Sequence, residues 1–184
     1  MALKETLRPG GRSARVQQSV HQAVQALLAE RERDEVTVPM IAAQAGVTPS
    51  TIYRRWGDLP TLLADVAVER MRPDGEPLDT GTLRGDLLAW GEQYREEMSS
   101  TPGQTMLRDV LGSGDNGSSC QCYDYTLSII QIMLDRAIAR GETAPAATQV
   151  MDRFVAPVVY RLLFTTAPVS EEHARQLLES CLQS

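Results

Sequence analysis

The chain has 184 residues, 42% of them hydrophobic and 23% charged, which excludes wholesale disorder and suits one large domain or two small ones. Its net charge of −6 is unevenly spread: residues 1–72 hold 10 Lys/Arg against 8 Asp/Glu, and residues 73–184 hold 8 against 16, so an acidic body carries a basic leading end that can still meet a polyanion. Lys4 is the only lysine, His21 and His173 are the only histidines, and there are 3 cysteines; a P-loop, a Schiff-base enzyme, a zinc site, a histidine-based triad and a disulfide framework are all poor fits.

Apolar residues recur at helical spacing throughout, with no sustained alternation, so an all-α fold is predicted. Val16, Val20, Val24 and Leu27 define a first helix over residues 13–31, ended by the charged run Glu30–Glu35. Thr37 is placed to cap a second helix, with Pro39 in its first turn, Ile41 and Ala45 inward, and Gly46 as its stop. Thr48 is placed to cap a third helix that starts at Pro49 and runs to Trp56. Gly57 ends it, and Asp58 starts a fourth that carries Leu62, Leu63, Val66 and Val68 toward Arg72.

The polar, Pro/Gly-rich segment 73–81 marks a domain boundary. Leu83, Leu87, Trp90, Tyr94 and Met98 form one stripe of a fifth helix, and Met106, Leu107, Val110 and Leu111 sit on a shorter sixth. Residues 112–119, GSGDNGSS, read as a loop, in which Asn116-Gly117-Ser118 signals a turn. A long helix over residues 123–140 follows, stopped by Gly141. Two more, over 145–165 and 170–182, close the chain, and Pro157 is expected to kink the first of them. About nine helices result.

Residues 37–56, TVPMIAAQAGVTPSTIYRRW, place two short helices around a glycine-centred turn, the plan of a helix-turn-helix whose second helix enters the major groove. Ala42 and Ala45 are small where two helices cross, and Ile52 and Trp56 face inward one turn apart. That leaves Thr48, Pro49, Ser50, Thr51, Tyr53, Arg54 and Arg55 available to DNA. Hydroxyls and N–H groups at a helix start hold phosphate, and arginine grips guanine with two bonds.

The run GVTPSTIYRRWGDLPTLL, with the helix before it, resembles the DNA-binding domain of the TetR family of bacterial repressors over residues 12–70. ARGE at 139–142 and VMDRFVAPVVYRLLFTTAPVSEEHA beyond it are similar to that family's ligand-binding and dimerisation half. The resemblance implies a DNA-binding domain over 1–58 with a basic arm, a linking helix over 59–72, and a ligand-binding and dimerisation domain over 73–184. It implies that Thr48 touches phosphate, that Pro49, Ser50, Thr51 and Arg54 face bases or sugars, and that Tyr53 contacts the backbone. Arg12 and Arg15 would reach a phosphate or the minor groove, and Thr37 and Arg55 complete the candidate set. The family commonly carries a lysine where this chain has Leu59, so one phosphate anchor is missing.

Trp90, Tyr94, Met98, Met106, Tyr125, Ile129, Met133 and Phe154 fit either plain core or the lining of a pocket between helices. The resemblance implies an unidentified small-molecule ligand within this bundle. Val155, Val158, Val159, Leu162, Leu163, Leu177, Leu178 and Cys181 give the last two helices more apolar surface than one bundle needs, and a second copy of the chain is the expected partner. Cys120 and Cys122 are read as inert thiols, with redox or metal sensing as the alternative. The function expected is a homodimeric regulator that binds a palindromic double-stranded operator, most naturally a repressor released by its ligand. It is not an enzyme and uses no cofactor or metal. The alternative is a helical small-molecule-binding or interaction module without DNA regulation. Neither a bilayer-length apolar run nor a secretion signal is seen, so a cytoplasmic location without membrane partners is expected.

Overall fold

The computed structural model describes residues 11–114, 116–167 and 169–183, and every regular element among them is helical. The chain divides into two compact units after Val66. The first holds α1 (Arg12–Glu30), a single 3-10 turn (Arg33–Glu35), α2 (Val38–Ala45), α3 (Pro49–Trp56) and the leading part of α4 (Leu59–Arg70). Its core joins Val20, Val24 and Leu27 of α1 to Ile41, Ile52, Trp56, Leu62 and Val66. Burying about 1.5–3 kcal/mol of side chain at each such position outweighs the weak intrinsic stability of eight-residue helices.

Between α2 and α3 the chain turns at Gly46, whose φ of 68° lies in the left-handed region that only glycine enters freely. The Val47 N–H then returns to the Ala42 carbonyl at 3.0 Å, closing a Schellman-type end. The side-chain caps expected of Thr37 and Thr48 do not form. Thr48 Oγ1 instead lies 2.9 Å from Ser50 Oγ and 3.0 Å from Thr51 Oγ1, so neighbouring hydroxyls compete for it. Asp58 does cap α4, its Oδ1 accepting from Thr61 N at 2.8 Å.

The second unit holds the end of α4, α5 (Leu83–Ser99), α6 (Thr101–Gly112), α7 (Asn116–Ala139), α8 over residues 147–164, and α9 (Glu171–Leu182). Leu87, Ile130, Met133, Leu134, Phe154 and Leu178 fill its core. The loop expected over 112–119 is shorter than its composition suggests: Ser113 and Gly114 are non-helical, but α7 already begins at Asn116 and buries Ser118. Tertiary packing overrides the turn preference of Asn116 and Gly117. The sixth helix is longer than predicted, since Ser100 caps it by accepting from Gly103 N at 3.1 Å and Pro102 suits its first turn. In α8 the disturbance due to Pro157 takes the form of a π-helical turn, Met151–Val155, just ahead of it. Proline has no N–H to return to residue 153, and the widened turn accommodates the lost bond.

A buried carboxylate fastens the start of this unit. Asp86 accepts from the Thr80 backbone N–H at 2.7 Å, the Thr80 hydroxyl at 2.6 Å and Arg140 at 3.1 Å. Arg140 also reaches Asp79 and Glu142, and Glu142 accepts from the first N–H of α5, at Leu83. Burial pushes the Asp86 carboxyl up, yet its Thr80 and Arg140 partners together hold it below the usual carboxylate range.

Candidate functional site

Helix α3 is held from beneath. Ile52 and Trp56 are buried, and the Trp56 indole donates to Asp65 Oδ2 at 2.7 Å. His21 Nε2 lies 2.9 Å from the same oxygen, and Gln17 Nε2 donates to it at 3.3 Å. One carboxylate on α4 thus joins α1 to α3. Burial raises the Asp65 pKa, but the bonds from His21 and Trp56, with nearby positive charge, bring it below its ordinary value.

With that face locked, Thr48, Pro49, Ser50, Tyr53, Arg54 and Arg55 are exposed and Thr51 is half-buried. Arg54 makes no ion pair or hydrogen bond among the described residues. Arg55 behaves differently. It donates to the Ser13 carbonyl and hydroxyl, each at 2.9 Å, and to Gln17, and its guanidinium lies 5.1 Å from the Trp56 ring centroid. Adjacent arginines therefore divide between a free cation and an anchor to α1. Arg15 and Thr37 are also exposed. The leading basic residues Lys4 and Arg8, and the side chain of Arg12, lie outside the described residues. Leu59 is half-buried and packs against the core of this unit.

The second unit has a cleft of about 360 Å³ between α5, α7 and the segment 70–78. Trp90, Tyr94, Met98 and Ile129 line it. Met133 and Phe154 are wholly buried behind, with Phe154 5.6 Å from Trp90 and 6.1 Å from Tyr94 between ring centroids. Tyr125 packs elsewhere, against Ala67, Val68 and Val110, and Met106 joins that cluster to the main core. Sequence reasoning missed Thr126, Gln93, Glu97 and the segment 70–78, all part of the lining. A search for apolar stripes discards polar rims; the adjacency of segment 70–78 to the Trp90 stripe was the usable signal.

On α8 and α9, Val155, Val158, Leu162, Leu178 and Cys181 are buried in the unit's own core and leave little or no surface for another chain. Val159, Leu163 and Leu177 keep partial exposure. The exposed apolar groups on α8 are Tyr160 at 63% and Phe164 at 70%, with ring centroids 4.9 Å apart. Positions 155, 158 and 162 share the inward face at helical spacing, which leaves 156, 160 and 164 on the outward one. Cys120 is exposed and Cys122 half-buried, and burial pushes the Cys122 thiol up to about 11. Residues two apart on a helix do not face each other, so the pair is poorly placed to join in one thiol chemistry.

A short helix locked by its apolar face, entered through a glycine turn and presenting hydroxyls and a free arginine, defines a helix-turn-helix DNA-binding module. The family model of the bacterial regulatory proteins of the tetR family matches residues 22–66. The model of the Tetracyclin repressor-like C-terminal domain matches residues 77–181. The chain belongs to the TetR family and is a DNA-binding transcriptional regulator, not an enzyme. An uncharacterized HTH-type transcriptional regulator of Mycobacterium tuberculosis is 28% identical over 164 residues, covering 85% of this chain and 80% of that one. The solved TetR family transcription regulator SCO0332 is 26% identical, with a TM-score of 0.69 over 91% of this chain and 96% of that one. A TetR transcriptional regulator from Rhodococcus sp. RHA1 shares the fold at 16% identity and a TM-score of 0.66, covering 95% and 99%. No helix among the described residues is long and apolar enough to cross a membrane.

Proposed function

We propose that this protein is a homodimeric repressor that holds a palindromic operator in the cytoplasm until a small molecule occupies the cleft of its second unit. The observation that carries the reading is the outward face of α3: Ser50, Tyr53 and the unpaired Arg54 stand exposed on a helix whose other face is fixed. Thr48, Pro49 and Thr51 flank them at the helix start, where hydroxyls and backbone N–H groups favour phosphate, and Arg15 and Thr37 supply further contacts. Arg54 reads a base edge, and Arg55 holds α3 to α1. The partner copy packs on the α8 face of Tyr160, Phe164, Val159 and Leu163, with Leu177 of α9 at its margin. A two-fold dimer then presents two recognition helices to half-sites about 34–36 Å apart.

Ligand control is attributed to α4, which is continuous from Asp65, the acceptor that fixes α3, to Arg70 in the cleft lining. A ligand that favours one position of α4 biases the clamp on the recognition helix, a population shift between two conformers. The test is fluorescence anisotropy on the promoter DNA beside the protein's own gene, repeated over a salt series. Tight binding that falls steeply with salt, and loses base preference in Arg54→Ala, is expected. Failure to bind any duplex at low ionic strength overturns the reading.

A further inference from the structure

The cleft of the second unit is lined by two aromatic donors that no protein group engages. Trp90 and Tyr94 are each only 8% exposed, and both line the cleft. Neither the indole N–H nor the phenol hydroxyl has a hydrogen-bond partner among the described residues. Neither atom is sealed from solvent, so water satisfies each until a ligand acceptor takes its place. The third polar group, the buried Thr126 hydroxyl, donates to the Cys122 carbonyl at 3.1 Å. The indole nitrogen can only donate. Burial pushes the Tyr94 hydroxyl far up from its ordinary value, so it keeps its proton and donates as well.

The surroundings narrow the partner further. The Trp90 and Tyr94 rings lie 5.3 Å apart and both back onto Phe154, an apolar aromatic wall suited to a flat molecule. The nine-tenths-buried lining includes no cation. The arginines of the lining, Arg70 and Arg72, are exposed, and Arg72 already bonds Glu69 at 3.2 Å, while Asp74, Glu76 and Glu97 are exposed carboxylates. An anion entering here would lose its water without gaining a buried counter-charge. A cation that brings only donors would leave the indole unmatched.

We infer that the cleft takes a neutral, flat, largely apolar molecule bearing a carbonyl-type acceptor, bound by the donors of Trp90 and Tyr94. This rests on the reading that a small molecule in this cleft controls operator binding, and it adds that molecule's chemistry. Equilibrium dialysis of the full chain against three tricyclic probes tests it: xanthone carries the acceptor, xanthene lacks the carbonyl, and 10-methylacridinium is a cation. Xanthone is expected to bind about tenfold more tightly than either of the others. Tyr94→Phe, which keeps the ring, is expected to remove most of that advantage and leave xanthene binding unchanged. Should Tyr94→Phe fail to fold, Trp90→Phe carries the same comparison. Equal binding of xanthene, preference for the cation, no binding of xanthone, or insensitivity to the variant overturns the inference. Operator release is measured separately. Xanthone that binds as expected without releasing DNA supports the ligand class and defeats ligand control, whereas intact operator binding with no xanthone uptake defeats the ligand class alone.

Discussion

Arg54 and Arg55 are neighbours with the same charge, yet the structure assigns them different work. Arg55 donates to Ser13 and Gln17 and lies over Trp56, so Arg55→Ala is expected to lower stability by about 1 kcal/mol, read as a drop in Tm. Arg54→Ala should leave Tm unchanged and cost about 1–3 kcal/mol of base discrimination, read in competition with mutated operators. The sequence could not separate the two, because adjacency says nothing about which guanidinium finds a partner 42 residues away. Asp65 was equally hidden. Its importance arises from three donors, Gln17, His21 and Trp56, that meet only in the fold. Asp65→Ala leaves buried His21 and Trp56 without their acceptor, and a loss of about 2–3 kcal/mol in chemical denaturation is expected. The pH dependence follows from the same geometry. The folded pKa values of Asp65 and Asp86 both lie below their ordinary values, so both carboxylates stabilise fully above about pH 4 and lose that contribution as pH falls through the depressed values. Asp65→Asn and Asp86→Asn should each show a shallower loss of Tm between about pH 5 and pH 2 than the unaltered chain.

At the scale of elements, the helices with clear punctuation were legible. Thr48-Pro49 and Trp56-Gly57 bracket α3, and its bounds match the spacing argument. Elements whose limits depend on packing were not. α7 starts at Asn116 and includes Gly117, with Ser118 buried, and no local propensity announces that. Half of the proposed pocket stripe proved to be core or packed elsewhere, since a 3.6-residue period marks an inward face without saying whether that face meets a cleft or another helix. The corner from α5 to α6 supplies a test of close packing. A Cβ built on Gly103 would come within 2.0 Å of the Glu97 carbonyl oxygen, a backbone atom that cannot swing aside. Gly103→Ala is therefore expected to destabilise by about 1–3 kcal/mol or more. Gly112→Ala, at the other end of the same helix with open space around it, should cost less than about 0.5 kcal/mol. Thermal melts of the two variants side by side check the contrast.

At the scale of the whole molecule, total charge misleads and its distribution informs. A net charge of −6 disguises a DNA-binding half that the split of basic and acidic residues reveals. Assembly was legible in a similar partial way. Excess apolar surface on the last two helices pointed to a second copy, but the sequence could not say which face was spare, because more than one stripe of α8 carries large apolar residues. The structure separates them. Leu162 is 9% exposed inside the core, whereas Tyr160 and Phe164 project outward with their rings in contact. If the outward stripe holds the dimer together, Tyr160→Glu with Phe164→Glu places two charges in the contact while disturbing nothing inside the protomer. Sedimentation should then report a single 20.2 kDa chain with an unchanged helical spectrum. Operator affinity should fall about a hundredfold or more, because two recognition helices no longer bind as one linked pair. Leu162→Ala should do the reverse, lowering Tm by cavity formation at about 2–5 kcal/mol while leaving the dimer mass intact. A double glutamate variant that sediments as a dimer would place the contact on another face.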